Sequence, residues 1–171
     1  FAREIHSESI LDLCTGTGIV ALLLSAKTNA ERICAIEIQE DIAGMAQRSV
    51  EMNGLDKRIF IKCADLKTCV SDYGKRSFGL VTCNPPYMRA GAGVPNESDS
   101  KLVSRHEVMC TLEDVIRTAS GLVSVSGHFA MVHRPSRLCD AMYLMRKYEI
   151  EPKRLRFVHK NAKEAPILFL I

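Results

Sequence analysis

Seven short apolar segments, rich in β-branched and aromatic residues, punctuate this chain, and all but the last two are separated by a dozen residues or more. They fall at 9–14 (SILDLC), 32–37 (RICAIE), 58–63 (RIFIKC), 78–83 (FGLVTC), 127–132 (GHFAMV), 153–159 (KRLRFVH) and 165–171 (APILFLI). Strands joined by crossovers of that length run parallel, and near-continuous apolar runs mean that both faces of their sheet are covered. Helices are expected at 18–27, 39–53, 111–124 and 135–148, the second stopped by Gly54 and the third opened by Thr111 with Asp114 three residues on. Only about five residues (160–164) separate the last two strands. That is too short for a crossover, so they are expected to form an antiparallel hairpin. The expected fold is therefore α/β: a doubly wound, seven-stranded and mostly parallel sheet with an antiparallel C-terminal hairpin, helices on both faces, and one domain over 1–171.

Composition removes several classes. An apolar share of 47% and a charged share of 25% are ordinary for a globular protein, and no apolar run approaches the ~20 residues of a membrane span. Seven cysteines without paired spacing argue against a disulfide framework and for a reducing, cytoplasmic setting. There is no CxxC pair, and His106–Cys110 (HEVMC) lacks the second histidine of a metalloprotease helix, so no metal is expected. Charge is unevenly spread: residues 1–72 hold 8 Lys and Arg against 11 Asp and Glu, whereas residues 134–163 hold 9 against 3. A basic C-terminal third is either a polyanion footprint or a solvated face. The opening at Phe1 and the stop inside a strand-like run are expected to mark trimmed ends. The long polar loop 88–104 is expected to be a lid or a disordered segment.

Where the first strand gives way to the first helix the chain reads LDLCTGTG (11–18). Gly16 and Gly18 permit a sharp turn and a close ligand approach, with a helix N-terminus behind it. Glu37 closes the second strand, where a doubly wound sheet places an acid that accepts from ribose hydroxyls. Such a turn suits a dinucleotide, for which Ala21 would pass as the third small residue, or S-adenosyl-L-methionine. Asp12 weighs toward the latter, because an acid at the strand end suits a ligand with a free ammonium group and a pyrophosphate has no use for it. Asp65, in CADLKT (63–68), is placed to accept from an adenine amino group while Leu66 donates its backbone N–H, although it would serve equally as a loop cap. Cys14, Thr15, Ile38 and Asn84 complete the candidate cofactor set.

The fourth strand ends in Asn84-Pro85-Pro86-Tyr87. Two prolines hold the turn extended and remove its donors, so carbonyl oxygens point into the crevice. Asn84 Oδ1 and the Pro85 carbonyl can accept from one exocyclic amino group while Tyr87 offers a flat face for stacking. That describes a receptor for a conjugated amine: adenine N6, cytosine N4 or a side-chain amide. Two acceptors draw such an amine toward sp³ geometry, and positioning then carries most of the catalysis.

DLCTGTG and NPPY together resemble the class I S-adenosylmethionine-dependent methyltransferases of the amino-methylating type, with their Rossmann-like fold. EIQEDIAGMAQRSVEMNGL (37–55), SRHEVMCTLEDVI (104–116), HRPSRL (133–138) and EPKRLRFVHKNAKEAPILFLI (151–171) resemble, more specifically, the bacterial tRNA1(Val) adenine-N6 methyltransferases, also described as small-domain methyltransferases. The resemblance implies a tRNA substrate methylated on the adenine 3′ of the anticodon, position 37. One departure is Cys14, which stands where the family pattern has its first glycine. A target base must leave its stack to reach Asn84–Tyr87, and a basic surface must hold the backbone. The candidates for that surface are Arg134, Arg137, Lys153, Arg154 and Arg156, with Arg105 and His106 as anchors of the long loop. Other readings are a release-factor glutamine methyltransferase, a non-catalytic RNA-binding module on the same fold, and a dinucleotide oxidoreductase. The sequence leaves the oligomeric state open.

Overall fold

The computed structural model describes residues 2, 5–87 and 110–171. The expected loop 88–104, with Arg105 and His106, lies outside them. Twelve strands and α-helices follow in chain order among the described residues: β1 (Ser9–Leu13), α1 (Ile19–Lys27), β2 (Arg32–Glu37), α2 (Glu40–Met52), β3 (Ile59–Cys63), α3 (Cys69–Tyr73), β4 (Phe78–Cys83), α4 (Leu112–Leu122), β5 (Val123–His133), α5 (Leu138–Lys147), β6 (Arg156–Val158) and β7 (Leu168–Leu170). The strands form one sheet in the order β3-β2-β1-β4-β5-β7-β6. Neighbours among the first five are parallel, while β7 runs antiparallel to both β5 and β6.

Alternation along the strands builds two cores. Leu11, Cys34, Val81 and Met131 point to one face and pack with Val115, Ile116 and Leu122 of α4, with Met145 of α5 and with Phe169. Ile10, Ile33 and Leu80 point to the other and pack with Ala21 and Leu24 of α1 and Val50 of α2. α4 buries Leu112, Val115, Ile116, Ala119 and Leu122, the spacing of one helical face. It opens on a reciprocal cap: Asp114 N–H donates to Thr111 Oγ1 at 3.1 Å and Thr111 N–H donates to Asp114 Oδ2 at 3.0 Å. After α2 the chain turns at Gly54 with φ +66°, as its sequence position suggested.

Three differences from the expected layout have physical causes. The helix expected to run to 124 stops at Leu122, and β5 begins at Val123 rather than 127. Val123 and Val125 favour the extended backbone, and Ser126 (φ +63°) marks an irregularity that shifts the β4–β5 register between Phe78 and Leu80. α3 was not anticipated, because five residues are too few to show a period; it lodges Val70 against Gly121 of α4, where any Cβ would meet Val70 Cγ2 at 2.8 Å. The terminal hairpin forms, but with strands of three residues each, and its second strand slots between β5 and its first.

Candidate active site

Strand order reverses at β1, which lies between β2 and β4, so the carboxyl ends of the parallel strands open on a shared crevice. A cavity of about 500 Å³ occupies it. Walking across the sheet, its walls come from Asp65 after β3, Glu37 at the end of β2, residues 14–17 after β1, Asn84–Tyr87 after β4 and Arg134 after β5.

The turn after β1 is held in a left-handed conformation at Cys14 (φ +55°), Gly16 (φ +58°) and Gly18 (φ +85°). The two glycines serve different ends. A Cβ on Gly16 would meet nothing within 4 Å and would stand in open space at the cavity wall. A Cβ on Gly18 would meet Ala46 Cβ at 3.2 Å, so Gly18 lets α2 pack closely and does not line the cavity. Cys14 holds the glycine-like conformation within a cluster of thiols: its Sγ hydrogen-bonds those of Cys110 and Cys83, and although the Cys110 contact favours its thiolate, the Cys83 contact and burial outweigh it and hold the thiol well above its usual range.

Glu37 is buried at the cavity wall and anchors the turn. Its Oε2 accepts from Gly16 N–H at 3.0 Å, and its Oε1 from the backbone N–H groups of Ile38 (3.0 Å) and Gln39 (3.1 Å). Oε2 keeps a lone pair for a ligand hydroxyl. Asp65 lines the cavity and is also a cap: Oδ1 accepts from Lys67 N–H at 2.9 Å, and Oδ2 pairs with Lys67 Nζ at 3.2 Å. Leu66 and Ile38 line the cavity beside them.

Asp12 is placed differently from the expectation that it faces an ammonium group. It is only 1% exposed and absent from the cavity wall. Its Oδ2 accepts from Thr15 Oγ1 and its Oδ1 from Thr82 Oγ1, both at 2.6 Å. Burial pushes its carboxyl up to about 6, against the lowering effect of the two hydroxyls. Asp12 thus ties the turn to β4, and the side chain that reaches the ligand side is Thr15.

Asn84, Pro85, Pro86 and Tyr87 form the opposite wall. Tyr87 donates its hydroxyl to Asn84 Oδ1. Its ring stands edge-on to His133, centroids 5.3 Å apart, and His133 in turn stacks on Phe169 at 6.3 Å. His133 is buried and accepts from Arg134 N–H at Nδ1 (2.8 Å); burial first, then the charges of Arg137 and Arg134, lower it to about 4. Of the basic candidates, Arg134 lines the cavity, Arg137 does not and is paired with Asp140 at 2.7 Å, and Lys153, Arg154 and Arg156 lie exposed on or before β6, away from it. Residues the sequence did not single out also line it, among them Thr17, Ile36, Ala64 and Cys110. Thr17 and Ile36 abut motif positions and were within reach of inference; Cys110 arrives with α4 and carried no signal. Among the described residues no cluster of His, Cys, Asp or Glu could hold a metal ion, and no helix is long and apolar enough to cross a membrane.

Comparison with known proteins agrees with this architecture. Residues 10–92 match the family model described as a methyltransferase domain. A tRNA1(Val) (adenine(37)-N6)-methyltransferase of Porphyromonas gingivalis is 31% identical over 159 residues, covering 90% of this chain and 62% of that protein. The protein of the same name from Christiangramia forsetii is 27% identical over 165 residues, covering 96% of this chain and 68% of that one. This chain thus spans about two thirds of the length of these relatives. Among solved structures, a SAM-dependent methyltransferase from Aquifex aeolicus superposes with a TM-score of 0.69 at 12% identity, over 95% of this chain and 79% of that one. Geranyl diphosphate C-methyltransferase from Streptomyces coelicolor, solved with S-adenosyl-L-homocysteine, superposes with a TM-score of 0.67 at 10% identity, over 88% and 57%. The chain thus has the Rossmann-like fold of these solved methyltransferases, residues 10–92 match a methyltransferase-domain model, and its sequence likeness runs to the tRNA1(Val) (adenine(37)-N6)-methyltransferases.

Proposed function

We propose that this chain is an S-adenosyl-L-methionine-dependent methyltransferase acting in the cytoplasm on the exocyclic N6 of an adenine in tRNA, at position 37 beside the anticodon. The observation that carries the reading is the meeting of two half-sites in one cavity: Gly16, Glu37 and Asp65 on one side, Asn84–Tyr87 on the other. The first half fits the cofactor. Gly16 leaves room where a side chain would intrude, Glu37 Oε2 has an acceptor position for a ribose hydroxyl, and Asp65 with the Leu66 backbone suits an adenine edge. Bound there, S-adenosyl-L-methionine supplies an electrophilic methyl group.

The remaining work falls to the chain. Asn84 Oδ1 and the Pro85 carbonyl accept the two hydrogens of the adenine amino group and turn its lone pair out of conjugation. Oδ1 can do so while still accepting from Tyr87, because a carbonyl oxygen has two lone pairs. Tyr87, backed by His133, is held as a stacking platform. No strong base is needed, since the methylated amine releases its proton to water. A glutamine amide could occupy the same wall; the tRNA-modifying names of the relatives and the basic C-terminal third favour adenine.

The test is incubation with methyl-labelled cofactor and separate pools of unmodified tRNA, DNA and a release factor. Label recovered as N6-methyladenosine from tRNA alone is expected. Label in glutamine would replace this reading with its rival. Asn84→Ala should abolish transfer while leaving cofactor affinity within about twofold, because Asn84 serves the acceptor amine; a large loss of cofactor affinity would refute that role.

A further inference from the structure

The cavity is electrically lopsided. Its acidic residues, Asp65 and Glu37, sit at the β3–β2 end, and Arg134 at the β5 end is the one cation lining it among the described residues. No acid pairs with Arg134 among those residues, whereas Arg137, three positions on, is paired with Asp140, and Lys67 is paired with Asp65. The Arg134 backbone is fixed: its N–H donates to His133 Nδ1, its carbonyl accepts from Arg137 N–H at 3.0 Å, and Pro135 holds it extended (φ −73°, ψ 143°). The side chain is exposed.

Its present seat is informative. The guanidinium carbon stands 5.9 Å from the centroid of the Tyr87 ring, over the kind of face on which a flat acceptor would stack. A base arriving there must displace the guanidinium or slide beneath it, and the displaced cation needs an anion close by. A nucleotide brings one, attached through its own sugar. A glutamine amide brings none and would forfeit the cation–π contact without replacement.

We propose that Arg134 is a phosphate-binding and specificity-determining residue: it yields the Tyr87 face to the target base and takes hold of that nucleotide's 5′-phosphate. This rests on the reading of the substrate as a nucleotide. Base entry and phosphate capture become one event, and the wall shared by adenine and amide acceptors is made selective for the nucleotide.

The chain is saturated with S-adenosyl-L-homocysteine, so that the cofactor half is filled, and titrated with adenosine and with adenosine 5′-monophosphate at low salt. The monophosphate is expected to bind about tenfold tighter, as a charge-assisted Arg–phosphate contact allows. Arg134→Gln should bring the ratio close to one, and Arg134→Lys should keep part of it, while neither variant alters the rise in Tm given by S-adenosyl-L-homocysteine. An anticodon stem-loop with a neutral methylphosphonate 5′ of the target adenosine distinguishes the phosphate of an RNA chain from that of a free nucleotide. It should be methylated about tenfold more slowly by the unsubstituted enzyme, with no further loss in Arg134→Gln. Equal affinities for the two ligands, a preference that survives Arg134→Gln, or additive losses in the stem-loop arm would overturn the proposal. Nucleotide preference through Arg134 without methyl transfer to tRNA would instead overturn the substrate assignment and leave the phosphate site standing.

Discussion

Thr82→Val removes one hydroxyl of almost unchanged volume from β4, and its cost should depend on pH in a way that few core substitutions do. Thr82 Oγ1 donates to Asp12 Oδ1 at 2.6 Å in a site where Asp12 is 1% exposed. Burial already raises the Asp12 carboxyl from 3.8 to about 6. A raised carboxyl favours the folded state only while protonated. Stability from this group is therefore greatest below pH 3.8, falls as pH rises, and by pH 8 is lower by about 3 kcal/mol, at about 1.4 kcal/mol per pH unit. The two threonine hydroxyls limit that loss by holding the carboxylate. Without Thr82, an ionised buried oxygen is left with no donor, which costs about 2–3 kcal/mol. Near pH 5 the folded protein holds Asp12 mostly protonated, and the same substitution should cost only about 1 kcal/mol. Urea unfolding of both proteins at pH 5 and pH 8 measures the two costs. In an Asp12→Asn background the extra cost at pH 8 should vanish, because no charge remains to be stranded. Equal costs at the two pH values would refute the reasoning: either Asp12 stays neutral throughout, or water replaces the hydroxyl.

Two further outcomes are expected. Gly18→Ala places a side chain at φ +85° and 3.2 Å from Ala46 Cβ; it should cost about 2 kcal/mol and lower the Tm of the ligand-free protein by about 4–8 °C, read by calorimetry. His133 is lowered to about 4, so the folded state takes up its proton later than the unfolded chain does. Its share of stability is complete above pH 6.5 and drains away between 6.5 and 4; His133→Phe should flatten that part of the acid unfolding curve, and an unchanged curve would show that the ring is not kept neutral by the fold.

Much of the architecture was readable because its signals are local. The alternation of apolar runs with helix-length gaps gave the parallel sheet, the short 160–164 link gave the antiparallel hairpin, and Thr111–Asp114 gave the start of α4. Gly16, Glu37, Asp65 and Asn84–Tyr87 were selected by motif spacing, and the fold gathers them around one cavity. What could not be read depends on distant partners. Asp12 looks ligand-facing until Thr82, seventy residues away, is known to stand beside it. Gly18 reads as a ligand glycine, but its absent side chain makes room for Ala46. Cys14 in a glycine position looks like a defect until Cys83 and Cys110 are seen against its thiol. Arg134 and Arg137 carry the same charge in one short motif; only the geometry shows that one is paired with Asp140 and the other faces the cavity.

The position of β7 sets an order on biosynthesis. The ribosome releases β6 before β7, yet β7 must slip between β5 and β6, and Ile171 completes the backbone pairing by exchanging two 2.9 Å bonds with Met131. Phe169, which backs His133 and through it Tyr87, therefore reaches the sheet after the other six described strands of that sheet have been made. A nascent chain can assemble Gly16, Glu37 and Asp65 on β1–β3 while its acceptor wall still lacks this last ring. If the chain is the proposed methyltransferase, a growing chain would then hold its methyl donor before its acceptor wall is complete.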